Sequence, residues 1–225
     1  TFLYAIGFTG NLVVPKSIDS GAVVGITEAI IVNLVVLSVF ALQHTIMARP
    51  GFKAVWTRVV PKSIERSTYV LLSNAALILI YWQWRAMPGV VWDVSGSLAG
   101  EVLNGLFWFG WLFVLLSTFM IDHFELFGIK QVLHRMKNKE TLSMTFKMPL
   151  FYKFVRHPIM LGFIIAFWAT PTMTQGHLLF AAVTTAYILV ALQFEERDLI
   201  AELGQEYIVY KSKVSMILPL RRHKD

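Results

Sequence analysis

Arg156-His157-Pro158 stands just before one apolar stretch, and Glu195-Glu196-Arg197 stands just after the next. Gly204, Glu206, Tyr207, Tyr210 and Pro219 follow. Two apolar segments thus carry ionisable signatures on one side. Ionisable groups pinned against a membrane hairpin are costly, which favours a binding site over packing. Pro158 suits the first turn of a helix, where its missing N–H costs nothing. His157 then sits at the helix mouth, beside backbone donors and the positive end of the dipole, where a ligand carboxylate can bind. An interfacial basic cap is the plainer reading of the same tripeptide. Gly162 lies on roughly the face of Pro158 and lets a ligand or another helix approach closely. Glu195 and Glu196 point about 100° apart on a helix, so they cannot serve one partner equally. One is expected to accept from a ligand or complement a cationic centre. The other is expected to pair with Arg197 or Arg156, and Glu196 is favoured for the ligand. Tyr207 and Tyr210, at i and i+3, share a face, either as a lid over a flat ring or as interfacial aromatics.

These residues need elements to hold them, and composition says which kind. The chain has 225 residues, 56% of them hydrophobic and 15% charged, with a mean hydropathy of +0.60. Soluble domains carry about 25% charged residues, so the deficit points to a membrane protein. Seventeen Phe and seven Trp fit lipid-facing and interfacial roles. Cysteine is absent, which excludes a disulfide, a thiolate metal site and a cysteine nucleophile.

Six apolar stretches can be drawn: Phe2–Val14, Ala22–Leu42, Ser67–Ala86, Val102–Ile121, Pro158–Thr172 and His177–Phe194. A span needs about 20 apolar residues, and the second, third, fourth and sixth qualify. The fifth is short but joins the sixth through a tight turn at Thr172–Gly176, so the two read as one helical hairpin. The first begins at residue 1 without methionine and reads as a truncated span; a cleaved signal peptide is disfavoured because no basic leader precedes it. The expected fold is all-α: a polytopic integral membrane protein of about five to six transmembrane helices, ending in a helical hairpin with a cytoplasmic tail. It is expected to form a single domain, 1–225. Residues 1–122 form the N-terminal spans, 123–157 an interfacial segment whose run Phe146–Phe154 lies in the headgroup layer, and 158–225 the hairpin and tail.

The net charge of +6 would suit nucleic acid, but its distribution argues against that partner. Eighteen of the twenty Lys and Arg fall in the loops 45–66 and 123–157 or in the tail, and only Lys16 and Arg85 lie elsewhere. The positive-inside rule then places those loops and the tail in the cytoplasm, against anionic lipid. This topology gathers His44, Tyr69, Asn74, Asp122, His123, Glu125, Arg156, His157, Glu195, Glu196 and Arg197 at the cytoplasmic ends of the spans. A pocket there can hold a water-soluble ligand against a membrane-soluble or gaseous one. Glu28 and Asn33 lie inside the second span toward the far side, and Glu28 reads as a snorkelling or neutral glutamate.

The C-terminal pattern resembles the integral-membrane methyltransferases of the isoprenylcysteine carboxyl methyltransferase superfamily. The front half (Phe40-Ala41-Leu42-Gln43-His44-Thr45 through Arg49-Pro50, then Glu65-Arg66-Ser67-Thr68-Tyr69) and the middle (Asp122-His123-Phe124-Glu125-Leu126-Phe127-Gly128) narrow the likeness. With Arg156 through Met173 they are similar to the bacterial methanethiol S-methyltransferase family, over most of the chain. One departure is Val214-Ser215-Met216, where that family more often places proline after the valine; a looser tail is expected.

The resemblance implies an enzyme of the bacterial inner membrane that uses S-adenosylmethionine to methylate methanethiol to dimethyl sulfide. Arg156, His157, Gly162, Glu195, Glu196, Arg197, Tyr207 and Tyr210 would bind the cofactor. The thiol must lose a proton, and cysteine already titrates near 8.5, with a simple alkyl thiol weaker as an acid. His44 and His123 are the candidate bases, with Asp122 or Glu125 orienting the imidazole and Tyr69 nearby. His123 is turned about 100° from Asp122, which makes His44 the better partner; either histidine can also be a helix-end residue bonded to a carbonyl. Met47, Met160 and Met173 can line a sulfur-friendly pocket or simply pack. No metal, nucleic acid or obligate protein partner is expected; membrane lipid is. The competing readings are an isoprenylcysteine carboxyl or phospholipid methyltransferase, a metal-binding membrane factor using His44, Asp122, His123, Glu125 and His157, and a non-enzymatic factor of the same topology. A transporter is disfavoured because the polar groups gather at one face and not at the midplane.

Overall fold

A computed structural model describes residues 1–121 and 149–219. Helix α1 (Phe2–Gly10) ends where Asn11 turns left-handed, so the first apolar stretch stops short of Val14. Helix α2 (Ile26–Ala48) runs past Leu42 through Gln43-His44-Thr45, and its end falls where Pro50 holds Arg49 extended. That proline opens the short α3 (Pro50–Trp56). Then come α4 (Lys62–Gln83), strand β1 (Val90–Asp93), α5 (Leu98–Ile121) and a 3-10 turn at Leu150–Lys153. Helix α6 (Pro158–Trp168), strand β2 (Thr172–Thr174), α7 (Gln175–Leu203) and α8 (Gln205–Lys213) complete the described chain.

Among the described helices, α2, α5 and α7 are long and apolar enough to cross a membrane. Their outward faces leave Val35, Leu116 and Val190 exposed, as a lipid-facing helix does. The protein is thus a helical integral membrane protein. Helix α4 was counted among the spans on its apolar run. It has 22 residues, but Lys62, Glu65 and Arg66 occupy its first turns and it does not meet the same measure.

Helix α2 packs along α4, and α5 packs along α6. The second contact is backbone on backbone. A Cβ on Gly162 would meet Val114 Cγ2 at 2.7 Å and the Gly110 oxygen at 2.9 Å, the close approach that small residues allow between membrane helices. Phe8, Val36, Leu37, Ile80, Tyr81, Trp84 and Phe180 form a core that joins α1, α2, α4 and α7.

One end of the bundle is closed by backbone-directed hydrogen bonds. The Asn33 side chain, fully buried, accepts from the Arg85 N–H at 2.8 Å and donates to the Arg85 carbonyl at 2.9 Å. Trp84 Nε1 donates to Ile18 O at 2.9 Å, and Lys16 Nζ to Trp82 O at 2.5 Å. His177 Nε2 lies 2.9 Å from the Phe167 carbonyl, and Thr174 caps α7 by accepting from the His177 N–H. Glu28 is exposed in the first turn of α2.

The tight turn expected at Thr172–Gly176 is instead β2, paired antiparallel with β1 through Val90↔Thr174 and Asp93↔Thr172. A small sheet therefore modifies the all-α expectation at this end. Its cause is Val90-Val91-Trp92, β-branched and aromatic residues following Pro88-Gly89.

Candidate active site

The other end of the bundle carries the ionisable residues. Helix α7 continues nine residues beyond Phe194, because nothing from Glu195 to Leu203 breaks a helix. Gly204 then adopts φ 59°, ψ −133°, a conformation open to glycine. That turn sends α8 back across the mouth of α6.

Glu196, 2% exposed, is the centre of a cationic cluster. Its Oε1 accepts from Arg156 Nε at 2.6 Å and lies 3.2 Å from His157 Nε2. Its Oε2 accepts from Lys211 Nζ at 2.8 Å. A buried carboxylate is tolerable only with such partners. Arg156 also donates through an Nη to the carbonyls of Lys211 and Val214. The N–H groups of Arg156 and His157 donate to Ser215 O at 2.9 Å and Met216 O at 3.1 Å. The tail expected to be loose at Val214-Ser215-Met216 is therefore paired through its backbone.

Tyr207 and Tyr210 lie buried behind this cluster, ring centroids 5.8 Å apart. Tyr210 donates to the Tyr152 carbonyl at 2.6 Å. Burial pushes the Tyr210 hydroxyl up to about 12 and raises Tyr207 and Tyr152 as well, so all three stay neutral near pH 7. Neither Tyr207 nor Tyr210 lies open to solvent as an interfacial aromatic would.

A second cluster faces it from α2 and α4. The Tyr69 hydroxyl lies 2.9 Å from His44 Nε2, and Ser73 Oγ lies 3.3 Å from His44 Nδ1. Ser73 donates to the Tyr69 carbonyl, and Phe40 stacks on the imidazole at 5.1 Å. The Arg66 guanidinium sits 5.4 Å from the Tyr69 ring centroid. Arg49 pairs with Asp198 at 2.7 Å, and Thr45 Oγ1 meets Tyr187 OH at 3.2 Å. These two contacts hold the end of α2 against α7.

Glu195 lies between the clusters. Half-buried, it is within electrostatic reach of Tyr69 and Tyr187 on one side and of Tyr152 and Tyr207 on the other. The pairing left open between the two glutamates thus goes to Glu196, the one favoured for the ligand. Arg197 is exposed, 5.8 Å from the Phe194 ring, and does not join the cation cluster. The approach that Gly162 permits is that of helix α5. Met173 is buried in β2 at the opposite end, away from Met47 and Met160. Asp122, His123 and Glu125 lie outside the described residues, and so does the start of the run Phe146–Phe154, residues 146–148. Among the described residues no group of three His, Cys, Asp or Glu could hold a metal ion. Tyr187 and Lys211 were not expected here. Lys211 adjoins Tyr210, and Tyr187 shares a helical stripe with Ala191 and Glu195 at i, i+4 and i+8.

Fold and site together define a polytopic helical membrane protein with an ionisable cluster at one end. The model of the NnrU protein family matches residues 32–199. Methanethiol S-methyltransferase of Mycobacterium tuberculosis is 60% identical over 97% of this chain and 89% of its own length. Methanethiol S-methyltransferase 2 of Bradyrhizobium diazoefficiens is 57% identical over 100% of this chain and 88% of its own. Nurim of Rattus norvegicus is 30% identical over 74% of this chain and 66% of its own. The chain belongs to the NnrU family and, more narrowly, to the methanethiol S-methyltransferase family. No solved structure matches it.

Proposed function

We propose that this protein is a thiol S-methyltransferase that converts methanethiol to dimethyl sulfide with S-adenosylmethionine as donor, at a pocket open to the cytoplasm. The observation that carries this reading is the pair of facing clusters, one cationic and one built on His44, with Glu195 between them, in a chain so similar to enzymes of that name. The donor set fits an amino-acid sulfonium ligand. Arg156 and Lys211 outnumber Glu196, so the cluster retains positive charge for a carboxylate. Glu195 supplies the opposite sign for a cationic group. His157, Tyr207 and Tyr210 complete the wall, with Gly162 holding α6 in place through α5.

The donor, when bound, supplies an activated methyl group. The chain's own residues do the rest. His44 takes the thiol proton, its ring fixed by Tyr69 and Ser73. Arg66, above Tyr69, adds positive charge that favours the thiolate. Apolar surroundings would exclude water, which raises the reactivity of a thiolate and a sulfonium toward each other, and the residues of the two clusters would orient the reactants. The basic residues near His44, Arg156 and Lys211 support a cytoplasmic mouth.

The test is direct. Purified protein is incubated with S-adenosylmethionine and methanethiol, and the headspace is assayed for dimethyl sulfide, with prenylcysteine as competing acceptor. Dimethyl sulfide supports the reading. Methylated prenylcysteine without volatile product keeps the donor and overturns the acceptor. Neither product, with no donor bound, overturns both.

A further inference from the structure

Both ring nitrogens of His44 already have partners. Ser73 Oγ lies 3.3 Å from Nδ1, and the Tyr69 hydroxyl lies 2.9 Å from Nε2 and 3.0 Å from Nδ1. Phe40 stacks on the imidazole at a centroid distance of 5.1 Å and covers one face. A thiol that gives its proton to this ring therefore displaces Tyr69 or passes the proton through it. The direction of the contacts favours passage. A serine hydroxyl has one hydrogen to donate. Ser73 donates it to the Tyr69 carbonyl, one turn back on α4, at 2.9 Å. Its oxygen thus presents only lone pairs to Nδ1, so Nδ1 carries the ring hydrogen and donates it to Ser73. In a neutral imidazole the other nitrogen then holds a lone pair. That nitrogen is Nε2, and the Tyr69 O–H at 2.9 Å donates to it. Tyr69 is buried, with the Arg66 guanidinium 5.4 Å from its ring centroid, so it does not readily swing aside.

We propose that the Tyr69 hydroxyl is the group that meets the thiol and relays its proton to His44 Nε2, with Ser73 as the positioning residue that fixes the tautomer of the ring. The inference rests on the reading of His44 as the base. The steps balance. The thiol S–H bond breaks and its electron pair stays on sulfur, which becomes the thiolate. The proton goes to the Tyr69 oxygen as the hydrogen that Tyr69 held moves to Nε2. Tyrosine ends as it began, and the net change is a thiolate and an imidazolium. The second N–H of that imidazolium is already bonded to Ser73, so the charged ring gains a donor at Nε2 and loses none at Nδ1. The phenol oxygen carries partial negative charge while the two protons move, and the Arg66 cation near its ring favours that charge. The histidine at the opposite end is wired the other way round: His177 Nε2 lies 2.9 Å from the Phe167 carbonyl, so there Nε2 carries the hydrogen.

The experiment joins ring-nitrogen NMR with turnover, on the full chain in detergent. Histidine is labelled with nitrogen-15, and the His44 and His177 signals are assigned by their loss in His44→Asn and His177→Asn. The expected result is a hydrogen on Nδ1 of His44 and on Nε2 of His177. A hydrogen on Nε2 of His44 in the parent overturns the relay. Tyr69→Phe is expected to lower kcat for dimethyl sulfide by about a hundredfold, to leave affinity for S-adenosylmethionine within about threefold, and to keep the His44 tautomer that Ser73 fixes. Ser73→Ala is expected to give a mixture of His44 tautomers and a severalfold lower kcat, and Ser73→Thr to restore both. An unmixed tautomer in Ser73→Ala overturns the role of Ser73. Turnover at the parent rate in Tyr69→Phe, with His44→Ala inactive, overturns the relay and leaves His44 as the direct base. Parent rates in both variants overturn the base reading and this inference with it. If Tyr69→Phe does not fold, the ring signals of the parent and of the two Ser73 variants decide.

Discussion

The two ends of this bundle use polar residues in opposite ways. At the β1/β2 end, side chains answer backbone groups: Asn33 answers the Arg85 peptide, Trp84 the Ile18 carbonyl, and His177 the Phe167 carbonyl. Each contact closes a loop and leaves little charge over. At the other end, side chains answer side chains. Glu196 gathers Arg156, His157 and Lys211, His44 gathers Tyr69 and Ser73, and Glu195 stands between. Buried charges are a poor way to gain stability, so an arrangement that concentrates them at one end is explained by a ligand better than by folding. The comparison also separates two kinds of buried histidine. His177 serves a carbonyl, whereas His44 keeps company with groups that can relay or orient a proton.

The sharpest way to break that contrast is Glu196→Ala. It strands Arg156 without its buried counter-charge, at a cost of about 3–5 kcal/mol. Thermal unfolding in detergent should show the loss, and donor affinity should fall with it. Unchanged stability and affinity would mean the cluster is an ordinary helix-end cap. His44→Ala comes next. Loss of a general base lowers turnover by about a hundredfold or more, with donor affinity and unfolding midpoint close to the parent. A variant that matches the parent in rate and pH–rate profile removes His44 as the base and turns attention to His123.

Much of this contrast was legible in the residues. The apolar runs located α2, α5 and α7, and the charge count placed Arg156, His157 and the two glutamates at one end. Element ends were less legible. Helix α2 reaches Ala48 and α7 reaches Leu203 because polar residues continue a helix as well as apolar ones until Pro50 or Gly204 intervenes. The four residues of β1 were too short a run to separate from loop, and their partner lies eighty residues on in β2. Glu195 and Glu196 could be seen to diverge, but which of them meets Arg156 depends on the face of α7 that packs on α6. That is a tertiary fact. Tyr187 looked like one more aromatic in a span, and only the approach of α2 makes it part of the site.

The opposite end supplies the control. Asn33→Ala leaves the N–H and carbonyl of Arg85 without the partners they have in a fully buried side chain. The expected cost is about 1–3 kcal/mol, read as a lower unfolding midpoint, with donor affinity per folded molecule unchanged. A selective loss of donor binding in this variant would dissolve the division between the two ends.

The smallest effect belongs to Tyr210→Phe, which removes one hydrogen bond to the Tyr152 carbonyl and costs about 0.5–1.5 kcal/mol. This variant also has a pH signature. Burial raises the folded hydroxyl to about 12, above its usual value near 10. The folded protein therefore holds this proton more tightly than the unfolded chain between those two values. The contribution is fully present below pH 10 and is lost as pH rises toward about 12. Phenylalanine cannot titrate, so its share of that decline should vanish, while Tyr152 and Tyr207, also raised, keep theirs. Unfolding midpoints of parent and variant should differ most near neutral pH and converge on the alkaline side. A gap that stays constant to pH 12 would mean Tyr210 is more open to water than its place behind the cation cluster requires, and the wall of the candidate site would have to be drawn without it.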